Sequence, residues 1–228
     1  MTALAVSWQP MIVTIDGPAG SGKSTAARKL AARLEVPYLD TGAMYRAVAH
    51  AGLARRVDLS DERQVSRLAR EVRIELDCGP TFARVKVDGH DVSEAIRTMA
   101  VSAATSQVAR LGTVREVLVE QQRRIGRALG SFVTEGRDQG SVVFPEAEVK
   151  FVLEASLERR AARRFQEMSA DGETVTLDDV RRNIVARDET DAKQWAPLLG
   201  SGRAVVIDTT DLSISDVVER IAEAISQR

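Results

Sequence analysis

Residues Gly17–Ser24 read GPAGSGKS and satisfy G-x-x-x-x-G-K-[ST] at every fixed position. The run before it, Met11–Asp16 (MIVTID), is β-branched and suits a buried parallel strand. Ser24–Leu34 follows with Ala27, Leu30, Ala31 and Leu34 at helical spacing, and Pro37 ends it. Strand, glycine turn and helix in this order make a cradle for phosphate. Glycine admits backbone conformations closed to residues with a Cβ. The loop N–H groups and the helix N-terminus then point at one anion. Lys23 brings a compact positive charge to the β- and γ-phosphates, and the Ser24 hydroxyl is an expected Mg²⁺ ligand. Gly17, Pro18, Ala19, Gly20, Ser21, Gly22, Lys23, Ser24 and Thr25 are therefore the expected triphosphate-binding residues.

Short apolar runs recur at Tyr38-Leu39, Phe132–Glu135 (FVTE), Val149–Leu153 (VKFVL) and Ala204–Ile207 (AVVI). Helical segments are expected at Ala43–Leu53, Val114–Leu129, Ser156–Met168 and Ser213–Ser226. Strands alternating with helices predict an α/β fold: a parallel sheet of about five strands, flanked by helices and joined by right-handed crossovers. One stretch breaks the rhythm. Val72–Asp77 (VRIELD) and Ala83–Asp88 (ARVKVD) alternate polar and apolar residues around Gly79-Pro80, which predicts a small antiparallel β insertion. The whole chain, 1–228, reads as one domain with an acceptor-binding insertion at about 41–110 and a mobile helical lid at about 163–191. The lid carries a turn signal at Ala170-Asp171-Gly172.

Composition narrows the partners. The chain has 32 basic and 33 acidic residues, a net charge of −1, so no nucleic-acid or membrane partner is expected. The single cysteine, Cys78, reads as a small, partly buried apolar residue. His50 and His90 have no partners at metal-ligand spacing. Met1–Pro10 lacks the basic and apolar segments of a secretory signal and reads as a flexible lead-in with Trp8 docked. No apolar run approaches the ~18 residues of a membrane span, and a cytoplasmic enzyme is the expectation.

A P-loop alone is shared by GTPases, motors, transporters and small-molecule kinases. A kinase with a phosphorylated acceptor must hold two anions head to head, and arginines offset that repulsion. Thr41 is placed to cap the helix after Tyr38-Leu39, and Arg46 lies one turn further along. Arg115 opens a later helix, and Gly136-Arg137-Asp138 follows FVTE at the carboxyl edge of the sheet. A carboxylate accepts from the cytosine N4 amine and repels the uracil carbonyl, so Asp138 is the expected base reader, with Ser106 as a second acceptor.

The segments IDGPAGSGKST (Ile15–Thr25), LDTGAMYR (Leu39–Arg46), VDGHDVSEAIRT (Val87–Thr98), TSQVA (Thr105–Ala109), VRE (Val114–Glu116), EGRDQGSVVFPEA (Glu135–Ala147) and VARDETD (Val185–Asp191) resemble, in order, the motif series of bacterial cytidylate kinases. The resemblance implies ATP with Mg²⁺ as phosphoryl donor, CMP and dCMP as acceptors, and a monomer. It implies that Thr41 lies near the nucleotide and that Arg46 and Arg137 bind the CMP phosphate. Ser106, Arg115 and Asp138 would read cytosine, and Arg187 and Asp191 would hold the ribose. The catalytic charges would be Lys23, Arg46, Arg137 and a lid arginine, Arg163, with Arg159 and Arg164 as further candidates. Two departures stand out. Glu135 replaces the usual aspartate before G-R-D, and Ala192–Leu198 is one residue short and lacks an expected arginine, leaving Lys193 as a substitute charge and Gln194 with none. A kinase for UMP or a coenzyme precursor and a non-enzymatic NTP-binding module are the competing readings.

Overall fold

The computed structural model describes residues 10–170, 172, 174–200 and 202–227; the expected lead-in with Trp8, and Asp171 of the expected turn, lie outside the described residues. β1 (Ile12–Asp16) runs into the P-loop and α1 (Lys23–Leu34). β2 (Tyr38–Leu39), α2 (Thr41–Ala54) and α3 (Glu62–Glu71) lead to a meander of β3 (Ile74–Cys78), β4 (Ala83–Val87) and β5 (His90–Asp91). Then come α4 (Met99–Val108), α5 (Gly112–Leu129) and β6 (Phe132–Glu135), a π-helical turn at Gln139–Val143, and β7 (Val149–Glu154). α6 (Leu157–Ala170), α7 (Leu177–Gly200), β8 (Val205–Asp208) and α8 (Ile214–Ser226) complete the chain.

β2, β6, β1, β7 and β8 lie side by side in that order and every pairing is parallel, so the expected five-stranded parallel sheet is the fold. β1 is the middle strand. Strand alternation gives its side chains two separate duties. Val13 and Ile15 pack with Leu30 of α1, Phe151 of β7 and Ile221 of α8 on one face. Thr14 and Asp16 point to the other face and are fully buried there. That second face carries Leu39, Phe132, Val143 and Phe144, with Ile125 and Leu129 of α5 packed on them.

The expected insertion forms with the predicted alternation: Ile74 pairs with Val87 and Leu76 with Val85. Ile74, Val85 and Val87 join a further core built from α2, α3, α4 and the start of α5. Asp88 and Gly89 both take positive φ, 51° and 83°, which suits the tight turn into β5. α3 was not expected, although Asp61 caps it and Val65, Leu68 and Ala69 give it a buried stripe. The charged stretch after β7 resolves into α6 and α7, whose buried contacts include Ala161, Val180 and Ile184. Cys78 is partly buried beside Leu39 and Phe132, and burial pushes its thiol up to about 12. Among the described residues no helix is long and apolar enough to cross a membrane.

α5 is held to the sheet at one tight point. The Phe132 and Phe144 rings meet edge to face with centroids 5.0 Å apart. A Cβ on Gly126 would lie 2.7 Å from the Phe144 ring and 3.0 Å from Phe132. Replacing a mid-helix glycine by alanine ordinarily stabilises by about 1 kcal/mol. Here overpacking costs about 1–3 kcal/mol, which cancels or outweighs that gain. Gly126→Ala is therefore expected to lower the urea midpoint, with a net loss of up to about 2 kcal/mol, and a higher midpoint would contradict this packing.

Candidate active site

β1 ends at Asp16 and the chain turns at once. Gly17 has φ +137°, and a Cβ there would sit 2.2 Å from the Leu153 carbonyl oxygen. Gly20 has φ +78°, with the Arg160 carbonyl oxygen 2.8 Å from a would-be Cβ. No side chain other than hydrogen fits either place. Gly22, also left-handed, precedes α1 and offers no side chain to cap it, which leaves the first N–H groups of the helix directed at the loop.

Lys23 is buried, and its Nζ donates to the Pro18 carbonyl at 2.7 Å. Burial pushes its ammonium down to about 7; Arg137 pushes the same way, while Glu135 and Asp16 oppose it. The Ser24 hydroxyl donates to Glu135 Oε1 at 2.9 Å. Glu135 ends β6, the strand beside β1, level with Ile15. Ser24 and Glu135 thus present two hard oxygen donors side by side, which fits a divalent cation completed by water and phosphate oxygens. Glu135 was expected only as a mild variant of the G-R-D segment; that its strand adjoins the P-loop strand is set by sheet order and not by any local pattern. Thr25 lies further out and helps line a cavity of about 340 Å³ with Arg159, Arg163, Gln166 and Thr209.

Across the cleft from the P-loop the structure pairs three of the expected arginines with carboxylates. Arg46 Nη2 donates to Asp40 Oδ2 at 2.9 Å, while its buried Nε has no hydrogen-bond partner. Arg137 Nε donates to Asp191 Oδ2 at 3.0 Å. Arg115 Nη2 donates to the buried Asp138 carboxylate, and its Nη1 reaches Gln194 Oε1 at 3.5 Å. Arg187 lies on α7 one turn before Asp191, within electrostatic reach of Lys23 and Arg137.

Several expected residues stand elsewhere. Thr41 does not cap α2. Asp40 does, accepting from Ala43 N at 2.8 Å, because its carboxylate stands one residue before the helix and also takes Arg46. The Thr41 hydroxyl instead donates to the Glu135 carbonyl at 3.1 Å. Ser106 is exposed on α4 and makes no hydrogen bond to Arg115 or Asp138. Arg163 is bonded to Thr209, at 3.1 Å to Oγ1 and 2.6 Å to the carbonyl, and Thr209 in turn donates to the Ser21 carbonyl of the P-loop. Arg159 reaches the Thr210 carbonyl, and Arg164 pairs with Glu167 on the surface. Lys193 is exposed, and it is Gln194 that faces the cleft residues.

Arg160, a residue not anticipated, is buried. Its Nη1 donates to the Ala19 carbonyl at 3.2 Å, and it forks onto Asp188 at 3.1 and 2.6 Å. It thereby ties the P-loop to α7. Nothing in the local run Arg159-Arg160 distinguishes the buried arginine from the exposed one; only the position of α6 against the loop does.

A P-loop at the carboxyl edge of a parallel sheet, faced by paired arginines, defines a P-loop kinase fold. The cytidylate kinase family model matches residues 13–227. The chain is 46% identical over 214 residues to a cytidylate kinase of Caldanaerobacter subterraneus subsp. tengcongensis, covering 93% of each chain. It is also 46% identical over 217 residues to one from Geobacillus kaustophilus, covering 95% of this chain and 96% of that one. A crystal structure of an uncharacterized protein from Eubacterium ventriosum shares the fold at 11% identity, with a TM-score of 0.54 over 96% of this chain and 99% of that one. This chain belongs to the cytidylate kinase family.

The depressed lysine has a measurable consequence. A triphosphate favours the charged ammonium, so it draws a proton onto Lys23 wherever the empty site leaves that group neutral, above a pH of about 7. Calorimetric titration of ATP in buffers of different ionisation enthalpy is expected to show net proton uptake at pH 8 that shrinks at pH 6. Lys23→Ala should remove most of the difference between the two; equal uptake at both pH values in the unaltered protein would show that Lys23 does not titrate in this range.

Proposed function

We propose that this chain transfers the γ-phosphate of ATP to CMP and dCMP, giving ADP and CDP or dCDP. The observation that carries the reading is the Arg115–Asp138 pair. A buried carboxylate stands beside the phosphate-seeking Arg137, at the end of the strand adjoining the P-loop strand. Its oxygens suit the N4 amine of cytosine and repel the uracil carbonyl. Family membership and the close relatives support the same acceptor.

On this reading the P-loop amides and Lys23 hold the triphosphate, and the rest of ATP enters the cavity beside Thr25 and Arg163. Mg²⁺, held by Ser24 and Glu135, would neutralise triphosphate charge. Arg46 and Arg137 take the acceptor phosphate, exchanging carboxylates for phosphate oxygens. Asp191, released from Arg137, holds the ribose with Arg187, and nothing in that pair demands a 2′-hydroxyl. Thr41 stays near the nucleotide, and Ser106 becomes a base contact once α4 closes in. The segment 41–110 is the acceptor-binding insertion, and 163–191 the lid. The attacking acceptor phosphate is already anionic, so the residues supply position and charge rather than a general base. Closure of the lid over the site keeps water from the γ-phosphate. The protein is expected to act as a cytoplasmic monomer.

A coupled ADP-release assay with ATP–Mg²⁺ and CMP, dCMP, UMP, AMP or GMP tests the reading. Turnover confined to the cytidylates is the expected result; strong turnover of another acceptor would overturn the base assignment, and none with any would leave a nucleotide-binding module. Lys23→Ala is expected to cut kcat by about 10²–10³ or more without altering the far-ultraviolet circular dichroism. Asp138→Asn should raise the KM for CMP and flatten the preference over UMP while ATP binding stays within about threefold.

A further inference from the structure

We propose that Asp16 is a positioning residue for acceptor selection: its buried carboxylate clamps the backbone that follows Asp138 and so fixes the base-reading side chain relative to the P-loop. The inference rests on the proposed cytidylate reading of Asp138.

Asp16 is the last residue of the central strand and immediately precedes Gly17. It is fully buried. A carboxylate in such a place ordinarily has a cationic partner. Asp16 makes no direct ion pair among the described residues, although Lys23 lies within electrostatic reach; instead each oxygen accepts one backbone N–H. Gln139 N donates to Oδ1 and Gly140 N to Oδ2, both at 2.8 Å, across 123 and 124 residues of sequence. Burial pushes the carboxyl up to about 6, and the Gly140 and Gln139 N–H groups pull it back.

The clamped peptides begin right after Asp138. The Asp138 carbonyl in turn accepts from Val142 N at 2.9 Å and Val143 N at 3.0 Å, closing the π-helical turn. Asp138 is therefore held from behind by the turn and, through its next two peptides, by Asp16. Its carboxylate alone is turned outward, to Arg115. The close approach depends on the glycine. A Cβ on Gly140 would lie 2.7 Å from Thr14 Oγ1 and 3.3 Å from Asp16 Oδ2.

One side chain thus joins the start of the donor loop to the residue that reads the acceptor. Hydrogen-bond discrimination between cytosine and uracil depends on placement to within about 0.5 Å. Loosening the clamp is expected to blur that placement while leaving the P-loop amides free to bind ATP. A role confined to satisfying two buried amides would lower stability or overall activity but treat both acceptors alike.

The test is Asp16→Asn, whose amide nitrogen cannot accept an N–H. Steady-state kinetics with CMP and with UMP at saturating ATP–Mg²⁺ are compared with the ATP Kd measured without acceptor. The expected result is a fall of about tenfold or more in kcat/KM for CMP, a fall of similar size in the CMP-to-UMP ratio, and an ATP Kd within about threefold of the unaltered protein. An unchanged ratio, or an ATP affinity that falls in step with CMP turnover, would overturn the proposal. If Asp16→Asn does not fold, Gly140→Ala loads the same clamp from its other side, and an unchanged ratio in that folded variant overturns it equally. Absence of cytidylate preference in the unaltered protein would instead remove the functional reading, and this inference with it.

Discussion

The cleft of this protein concentrates positive charge for phosphates, and that charge must be balanced when no phosphate is bound. Four arginine–aspartate pairs do so: Arg46–Asp40, Arg115–Asp138, Arg137–Asp191 and Arg160–Asp188. None of these guanidinium groups is more than about a third exposed. Such pairs contribute little net stability, because desolvation offsets most of the Coulomb attraction. Their effect is orientation. Asp188 holds the Arg160 fork with two bonds, and the other aspartates tether one nitrogen each, which on the proposed function leaves the remaining donors of Arg46 and Arg137 placed for an incoming phosphate. On the proposed function, acceptor binding is an exchange of anions rather than the filling of a bare cationic pocket. That exchange limits the loss of affinity from desolvation, since the guanidinium groups have already left bulk water.

The pairs also explain how separate elements come to bear on one site. α7 supplies Asp188, Asp191 and Gln194, spaced three apart along one side of the helix. Asp188 reaches the P-loop brace Arg160, Asp191 reaches Arg137, and Gln194 reaches Arg115. The Gln194 carbonyl accepts from the Ser141 hydroxyl at 2.8 Å, fixing the helix to the π-helical turn as well. Below this rod, Trp195 and Leu198 pack on Val152 of the sheet. A single helix thus holds Arg160, which braces the P-loop, together with Arg137 and with Arg115, the partner of Asp138.

What could be read from sequence follows from the range of the forces involved. The P-loop, the parallel strands and the antiparallel insertion are local patterns of glycine placement and side-chain alternation, and they stand in the structure as expected. α3 was equally local: Asp61, then Val65, Leu68 and Ala69, is a capped amphipathic helix, and its pattern was passed over within a charged stretch. Asp16, Glu135 and Arg160 were of a different kind. Each acquires its part through a partner far away in sequence, 123 residues for Asp16 and Gln139, 111 for Glu135 and Ser24, 141 for Arg160 and Ala19. No periodicity carries such information. Thr41 failed as a cap for a subtler reason. Asp40 and Thr41 both have capping side chains, and the choice between them was made by Arg46 and by the Glu135 carbonyl, one drawing the carboxylate and the other the hydroxyl.

The departure at Ala192–Leu198 acquires a physical meaning in this setting. The resemblance leads one to expect an arginine in this segment touching the acceptor phosphate. Here the neutral Gln194 turns its carbonyl oxygen to Arg115, and Lys193 faces solvent. A cation at position 194 would stand beside Arg115 and repel it; an amide oxygen supports it instead. The consequence under the proposed function is a redistribution of work within the clamp. On that reading the acceptor phosphate relies on Arg46 and Arg137, while the base-reading Arg115–Asp138 pair gains a third hydrogen-bonding partner. Under the proposed function, with one fewer cation at the phosphate, acceptor affinity would lean more on the base, the part of a nucleotide that distinguishes one acceptor from another, than on the shared phosphate.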